Sequence, residues 1–67
     1  MNEWLTRKAE ALGVEGLSEA DAATLLDLAR EASHESGDRR NAPLLCYLLG
    51  RAAGDVDALA EIVRSTS

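Results

Sequence analysis

The segment from residue 25 to residue 54 constrains the fold most strongly, because it contains the densest apolar patterns of the chain, separated by a polar turn. Leucine and alanine recur at spacings of three and four residues on both sides of that turn, which is the period of an amphipathic α-helix. The sequence contains no phenylalanine and no alternating run that would indicate a strand. The segment therefore predicts two consecutive helices in an all-α protein.

The length of 67 residues predicts a single helical domain spanning residues 1–67. A domain of this size lies near the lower limit at which an apolar core offsets chain entropy without a disulfide, a metal or a partner. A partner subunit is therefore an open alternative. The single cysteine excludes an internal disulfide and favours a reducing compartment, so we expect a cytoplasmic location.

The chain is acidic, with a net charge of −5 and a pI of about 4.6. Nucleic-acid binding is disfavoured, because such a surface must neutralise phosphates with clustered basic side chains. No segment approaches 18 consecutive apolar residues, and the N-terminus lacks a basic region followed by an apolar run. We expect a protein that is neither exported nor membrane-bound.

Capping residues and apolar spacing predict a compact bundle of four short helices. The predicted helices and their caps are 3–12 after Asn2, 19–34 after Ser18, 42–53 after Asn41, and 56–64 after Asp55. Gly13 and Gly54 act as stops in this prediction, and Pro43 falls in a first turn, where its missing N–H costs least.

The core is predicted from the apolar side of each helix. Its members are Leu5, Leu12, Leu25, Leu26, Ala29, Leu44, Leu45, Leu48, Leu49, Leu59, Ile62 and Val63. The third helix is apolar on a second side as well, where only small residues occur, and such a helix is either central in the fold or presents one side to another chain. The candidate interface comprises the small residues Ala42, Cys46, Gly50 and Ala53, together with the two aromatic residues Trp4 and Tyr47.

The turn between the second and third helices is a candidate ligand site. His34, Arg39 and Arg40 would lie near the start of the third helix at Asn41, where guanidinium groups and free backbone N–H groups suit a phosphate or carboxylate. We favour a structural role for His34, which ends the second helix, where a positive charge interacts favourably with the helix dipole; the ligand site is the alternative. Any phosphate-bearing ligand should bind weakly, because the chain as a whole is acidic.

The residues that could carry chemistry form no catalytic arrangement. The helical neighbours of Cys46 are apolar or glycine, so nothing would stabilise its thiolate. His34 has no evident nucleophile to activate, and one histidine with one distant cysteine cannot complete a tetrahedral metal site. Ser18 lacks the Asp-Ser-Leu context of acyl carrier proteins. We expect no enzymatic activity, no cofactor and no metal.

Several motifs resemble a family of short uncharacterised bacterial helical domains that occur alone or fused to molybdenum-cofactor guanylyltransferases. These motifs are LLDLAR at 25–30, His34 and Arg39 in the turn, Ala42-Pro43-Leu44, and LLGRAAG at 48–54. The resemblance implies an accessory role near molybdenum-cofactor handling. Together with the second apolar side of the third helix, it predicts a non-enzymatic interaction module that associates with itself or with another protein; the alternative is a small anion- or nucleotide-binding domain.

Overall fold

The computed structural model describes residues 2–66 and contains four α-helices with no strand in that range. The helices are α1 (Glu3–Leu12), α2 (Glu19–Ser36), α3 (Asn41–Ala52) and α4 (Val56–Ser65). The longest helix, α2, packs extensively against both α3 and α4, whereas no other pair of helices in the described chain does so. The predicted all-α bundle of four short helices is confirmed.

Three of the four predicted N-caps are confirmed. The side-chain oxygen of each capping residue accepts a hydrogen bond from the backbone N–H three residues later, at 2.9 Å for Asn2, 3.0 Å for Ser18 and 3.1 Å for Asp55. Each cap satisfies one of the donors that a helix leaves unpaired in its first turn. Gly13 closes α1 as predicted, with a left-handed φ of 72°.

The predicted boundaries between α2 and α4 need correction. The second helix does not end at His34 but continues to Ser36, and Gly37, with φ of 70°, closes it. A left-handed glycine is the usual signal for a helix end, and the prediction missed it. The third helix ends at Ala52, before the predicted stop at Gly54.

The predicted cap of α3 is wrong. Asn41 is the first residue of the helix, and Arg40 occupies the capping position without a side-chain hydrogen bond. Asp38 organises this turn instead, because its side chain accepts from the Arg40 N–H at 2.9 Å and its carbonyl accepts from the Asn41 N–H at 3.1 Å. An aspartate that bonds the backbone two residues ahead forms a turn of its own, and this turn leads into the helix.

The core is a small cluster at the junction of α2, α3 and α4. Leu28 is 1% exposed, Leu49 8% and Ala60 2%, and the half-buried residues around them are Leu25, Leu45, Leu59 and Val63. Five of the seven residues were predicted. Leu28 and Ala60 were missed, although Leu28 is the most buried residue of this cluster.

Six residues predicted for the core lie on the surface: Leu5, Leu12, Leu26, Leu44, Leu48 and Ile62. On α2 the apolar residues occupy most of the helix circumference, so their spacing cannot fix which side faces inward. The structure turns Leu28 inward and Leu26 outward. Ala29 is half-buried but does not belong to the central cluster.

The first helix is poorly supported by the rest of the chain. It contributes no buried residue, and Ala9 is the only one of its residues that is even half-buried. Leu5 and Leu12, which were expected to anchor α1 in the core, are 38% and 76% exposed. Helices α2, α3 and α4 therefore form the core, to which α1 contributes no buried side chain.

Within residues 2–66, one ion pair joins two packed helices. Arg64 on α4 donates two hydrogen bonds of 3.0 Å each to the carboxylate oxygens of Glu31 on α2. The guanidinium group holds the pKa of Glu31 below its ordinary value, and the pKa of Arg64 is raised in return. The pair links the C-terminal half of α4 to α2 at the surface.

We expect Leu28→Ala to lower the free energy of unfolding by about 2–5 kcal/mol, because it leaves a cavity at the junction of three helices. Leu26→Ala is the matched control on the same helix, and it should change that free energy by about 0.5 kcal/mol or less. Urea unfolding followed by circular dichroism measures both. Equal losses in the two variants would show that α2 is rotated differently.

We expect the Glu31–Arg64 pair to stabilise the fold in a pH-dependent manner. Because folding lowers the pKa of Glu31, this stabilisation is present above the unfolded pKa and is lost as the pH falls through the folded one. The melting temperature of the wild type should therefore exceed that of Glu31→Gln at pH 7, and the difference should narrow as the pH falls below the ordinary Glu pKa of about 4.3. Glu61→Gln, which breaks no ion pair within residues 2–66, is the control. A gap independent of pH would contradict the assignment.

Candidate functional site

The outward side of α3 carries three exposed large apolar side chains. Leu44, Tyr47 and Leu48 are 60%, 68% and 55% exposed. Their spacing places them on one side of the helix, and the guanidinium carbon of Arg51 lies 5.9 Å from the centroid of the Tyr47 ring. We call these four residues the outer α3 face.

This arrangement differs in part from the predicted orientation of α3, in which all four leucines of the helix face the core, because only two of them do so. The leucines at 44 and 48 were assigned to the core and the small residues to the interface, whereas Ala42 and Cys46 are half-buried beside the core leucines of the same helix. A usable signal was present in the sequence, because Tyr47 and Arg51 share a side with the two exposed leucines. Of the predicted interface residues on α3, Tyr47 is the one on the outer α3 face.

The small residues instead border a groove of the bundle itself. Cys46, Gly50 and Ala53 help to line an apolar groove of about 390 Å³, whose other lining residues are Leu17, Leu25, Leu49, Gly54, Val56 and Leu59. A Cβ built at Gly50 would meet no heavy atom within 4 Å. No other helix therefore uses the close approach that the glycine permits.

A second exposed apolar surface lies on α1. Trp4, Leu5 and Leu12 are 58%, 38% and 76% exposed, and the helical period places Lys8 between Trp4 and Leu12. The ammonium group of Lys8 is 5.2 Å from the centroid of the Trp4 ring, a cation–π contact that is worth little in water. We call Trp4, Leu5 and Leu12 the outer α1 face.

The turn between α2 and α3 is held by an ion pair. The Asp38 carboxylate accepts two hydrogen bonds from the Arg40 side chain, from Nε at 3.0 Å and from Nη2 at 2.8 Å, in addition to the backbone bond. The side-chain bonds to Arg40, followed by the backbone bond, lower the pKa of Asp38 below its ordinary value. One of the two guanidinium groups expected to bind an anion is therefore already paired with a carboxylate.

The backbone donors expected at the start of α3 are also occupied. The N–H groups of Asn41 and Ala42 donate to the carbonyls of Asp38 and Arg39 at 3.1 and 3.3 Å, and Pro43 has no N–H. Within residues 2–66, no hydrogen bond or ion pair joins His34 to either arginine, and both His34 and Arg39 are exposed. The anion site at His34, Arg39, Arg40 and Asn41 stays a prediction.

Charge is unevenly distributed along the chain. Residues 39–52 contain Arg39, Arg40 and Arg51 but no acidic residue, so this segment has a net charge of +3. Because the total is −5, the rest of the chain carries a net charge of −8. The segment that contains the outer α3 face is thus basic in an otherwise acidic chain, although Arg40 in this segment is paired with Asp38. Such a surface favours acidic partners at short range.

Metal sites and membrane spans were sought in the described residues. Within residues 2–66, no group of three His, Cys, Asp or Glu side chains is placed to hold a metal ion. None of the helices in this range combines the length and apolarity needed to cross a bilayer.

The profile of one protein family, described as a domain of unknown function (DUF6457), matches residues 1–67, so the chain belongs to this family. Membership agrees with the resemblance to short uncharacterised domains. Comparison with curated proteins and with solved structures gave no match.

We expect Asp38→Asn to bind phosphate more tightly than the wild type, because it releases Arg40 and removes a negative charge from the turn. Glu35→Gln removes the same charge nearby and leaves the ion pair intact, so it is the matched control. Titration with guanosine monophosphate, followed by NMR at the amides of residues 39–45, measures the effect. Signals that stay fixed in all three proteins at millimolar ligand would contradict an anion site.

Proposed function

We propose that this member of the DUF6457 family is a non-enzymatic interaction module that binds another protein chain through the outer α3 face. The observation that carries the proposal is the exposure of Leu44, Tyr47 and Leu48 side by side on a helix whose opposite side is in the core. Apolar patches of this kind on small soluble domains are typical of contact surfaces. Tyrosine and arginine, which border the leucines, are the residues that most often dominate binding energy.

The non-enzymatic part of the proposal is supported by how the polar groups are used. Asp38 and Arg40 bind each other, and the same is true of Glu31 and Arg64. Within residues 2–66, the sole histidine makes no hydrogen bond to a carboxylate or a nucleophile, which a general base would need. These charged groups serve turns and helix contacts.

The identity of the partner is a finer proposal. The motifs in residues 25–54 resemble domains fused to molybdenum-cofactor guanylyltransferases, and on that resemblance we propose an accessory role beside such an enzyme. The lone cysteine supports a cytoplasmic location for this role. A purified guanylyltransferase of this type is the first protein to test as a partner.

We expect affinity purification of the full chain from its native cells to recover a partner whose binding depends on α3. Three baits are compared: wild type, Leu48→Lys, and the control Leu26→Lys, in which a leucine that is 68% exposed on α2 is replaced. Quantitative mass spectrometry should find the partner with wild type and Leu26→Lys and lose it with Leu48→Lys. If the wild type recovers nothing and is also monomeric by light scattering, the interaction proposal is wrong.

A further inference from the structure

The outer α3 face is a stripe along one helix, and this shape limits what kind of segment can cover it. Leu44, Tyr47, Leu48 and Arg51 follow one another at helical spacing, so the stripe extends over about two turns, or roughly 10 Å. An extended peptide needs a sheet edge for its backbone hydrogen bonds, and no strand lies within residues 2–66. A helix needs only a row of side chains against which to pack. The segment that suits the outer α3 face is therefore a helix.

Arg51 gives the stripe a positive charge that its own chain leaves without a carboxylate. Arg30, Arg40 and Arg64 form ion pairs at 2.6, 2.8 and 3.0 Å. Within residues 2–66, Arg51 forms no ion pair, and its guanidinium carbon lies 5.9 Å from the centroid of the Tyr47 ring. A carboxylate that meets Arg51 beside these apolar side chains would be partly shielded from water. Such shielding strengthens the attraction between the two charges.

The charge of the remaining chain limits how acidic the partner helix can be. Residues 39–52 have a net charge of +3, and Asp38 pairs with one of the three arginines. The rest of the chain has a net charge of −8, which repels a strongly acidic partner. A few carboxylates placed close to Arg51 interact mainly with groups inside the screening length of about 8 Å. The charges therefore favour a mainly apolar helix side with a local acidic position.

The helices of this chain do not match that description. Helix α1 carries Lys8 between the apolar residues of its outer face, so its contact with α3 would bring a lysine to a stripe that contains Arg51. A second α3 has no carboxylate to offer. Helix α4 exposes Glu61, but Ile62 is the one large apolar residue that it exposes. These mismatches favour a different protein over a second copy.

We infer that the partner protein contributes an amphipathic helix whose apolar side packs on the outer α3 face and whose carboxylate meets Arg51. The inference rests on the proposed function, because it uses the same α3 surface and adds the chemistry of the occupant. Leu44, Tyr47 and Leu48 become covered at the centre of the contact, and the Arg51 pair lies at its end. Apolar packing then supplies most of the affinity, and the charge pair supplies specificity and register.

Two synthetic peptides of about 18 residues, long enough to form a helix, test the charge preference. Both have leucine at every third or fourth position, and the residues beside the leucines at one end are glutamate in the first peptide and lysine in the second. Fluorescence anisotropy of the labelled peptides measures their dissociation constants with the full chain. The wild type should bind the glutamate peptide at least about tenfold more tightly than the lysine peptide.

This order of affinities cannot arise from the overall charge, because a chain with a net charge of −5 would attract the lysine peptide more strongly. Equal affinities, or tighter binding of the lysine peptide, would overturn the inference. The same conclusion follows if the glutamate peptide does not bind at millimolar protein.

Reversal of the charge at Arg51 should reverse the preference. Arg51→Glu should bind the lysine peptide more tightly than the glutamate peptide, because its new carboxylate repels glutamate at the contact. Arg39→Glu is the matched control, since it makes the same change at another exposed arginine of the same segment, and it should keep the wild-type order. Circular dichroism checks that both variants keep their helices. An unchanged order in Arg51→Glu, or an equal reversal in Arg39→Glu, would overturn the inference.

Recovery of the partner from native cells separates this inference from the proposed function. Loss of the partner with both Leu48→Lys and Arg51→Glu, together with its retention by Arg39→Glu, supports the inference. A partner that is lost with Leu48→Lys but kept by Arg51→Glu would overturn it and leave the interaction module in place.

Two other occupants of the outer α3 face are outcomes of the same set of variants. A dimer that sedimentation velocity detects in the wild type and not in Leu48→Lys would show that a second copy covers the face. Binding to vesicles of equal parts phosphatidylcholine and phosphatidylserine that is lost in Leu48→Lys would show that the face contacts lipid. Either result would overturn the inference.

Discussion

The packing of Leu28 against Leu49 and Ala60 is the contact on which the rest of the structure depends. It joins α2 to the two helices that follow, and no other cluster of buried apolar residues exists in residues 2–66. The Glu31–Arg64 pair adds a surface ion pair between α2 and α4. Solvent screening keeps its contribution to stability small. With so few buried side chains, the core offers little apolar surface against which a further helix could pack.

This limit explains the state of α1 and of the outer α3 face. A core that is filled by α2, α3 and α4 leaves α1 without a buried residue, although its cap and its closing glycine make it a well-formed helix. The same packing turns Leu44 and Leu48 outward beside Tyr47 and Arg51. The two apolar surfaces are thus consequences of one small core, and both are available for contact with another chain.

Local signals in the sequence were sufficient for the fold class but not for the packing. Asn2, Ser18 and Asp55 predicted three helix starts correctly, because a cap depends only on neighbouring residues. The rotation of α2 was not predictable, since Leu25, Leu26 and Leu28 allow more than one inward side. On α3 all four leucines were assumed to be inside, which is correct for Leu45 and Leu49 and wrong for Leu44 and Leu48. The Asp38 turn was missed because Asn41 offered a plausible cap of its own.

The central claim is that a single small core holds α2, α3 and α4 together and leaves α1 weakly supported by its own chain. Hydrogen–deuterium exchange of the full protein tests this most directly, because it reports the protection of each helix separately. The account predicts that amides of α1 exchange rapidly in dilute protein, while amides around Leu28 stay protected. Protection of α1 that equals that of α2 in dilute protein would contradict it.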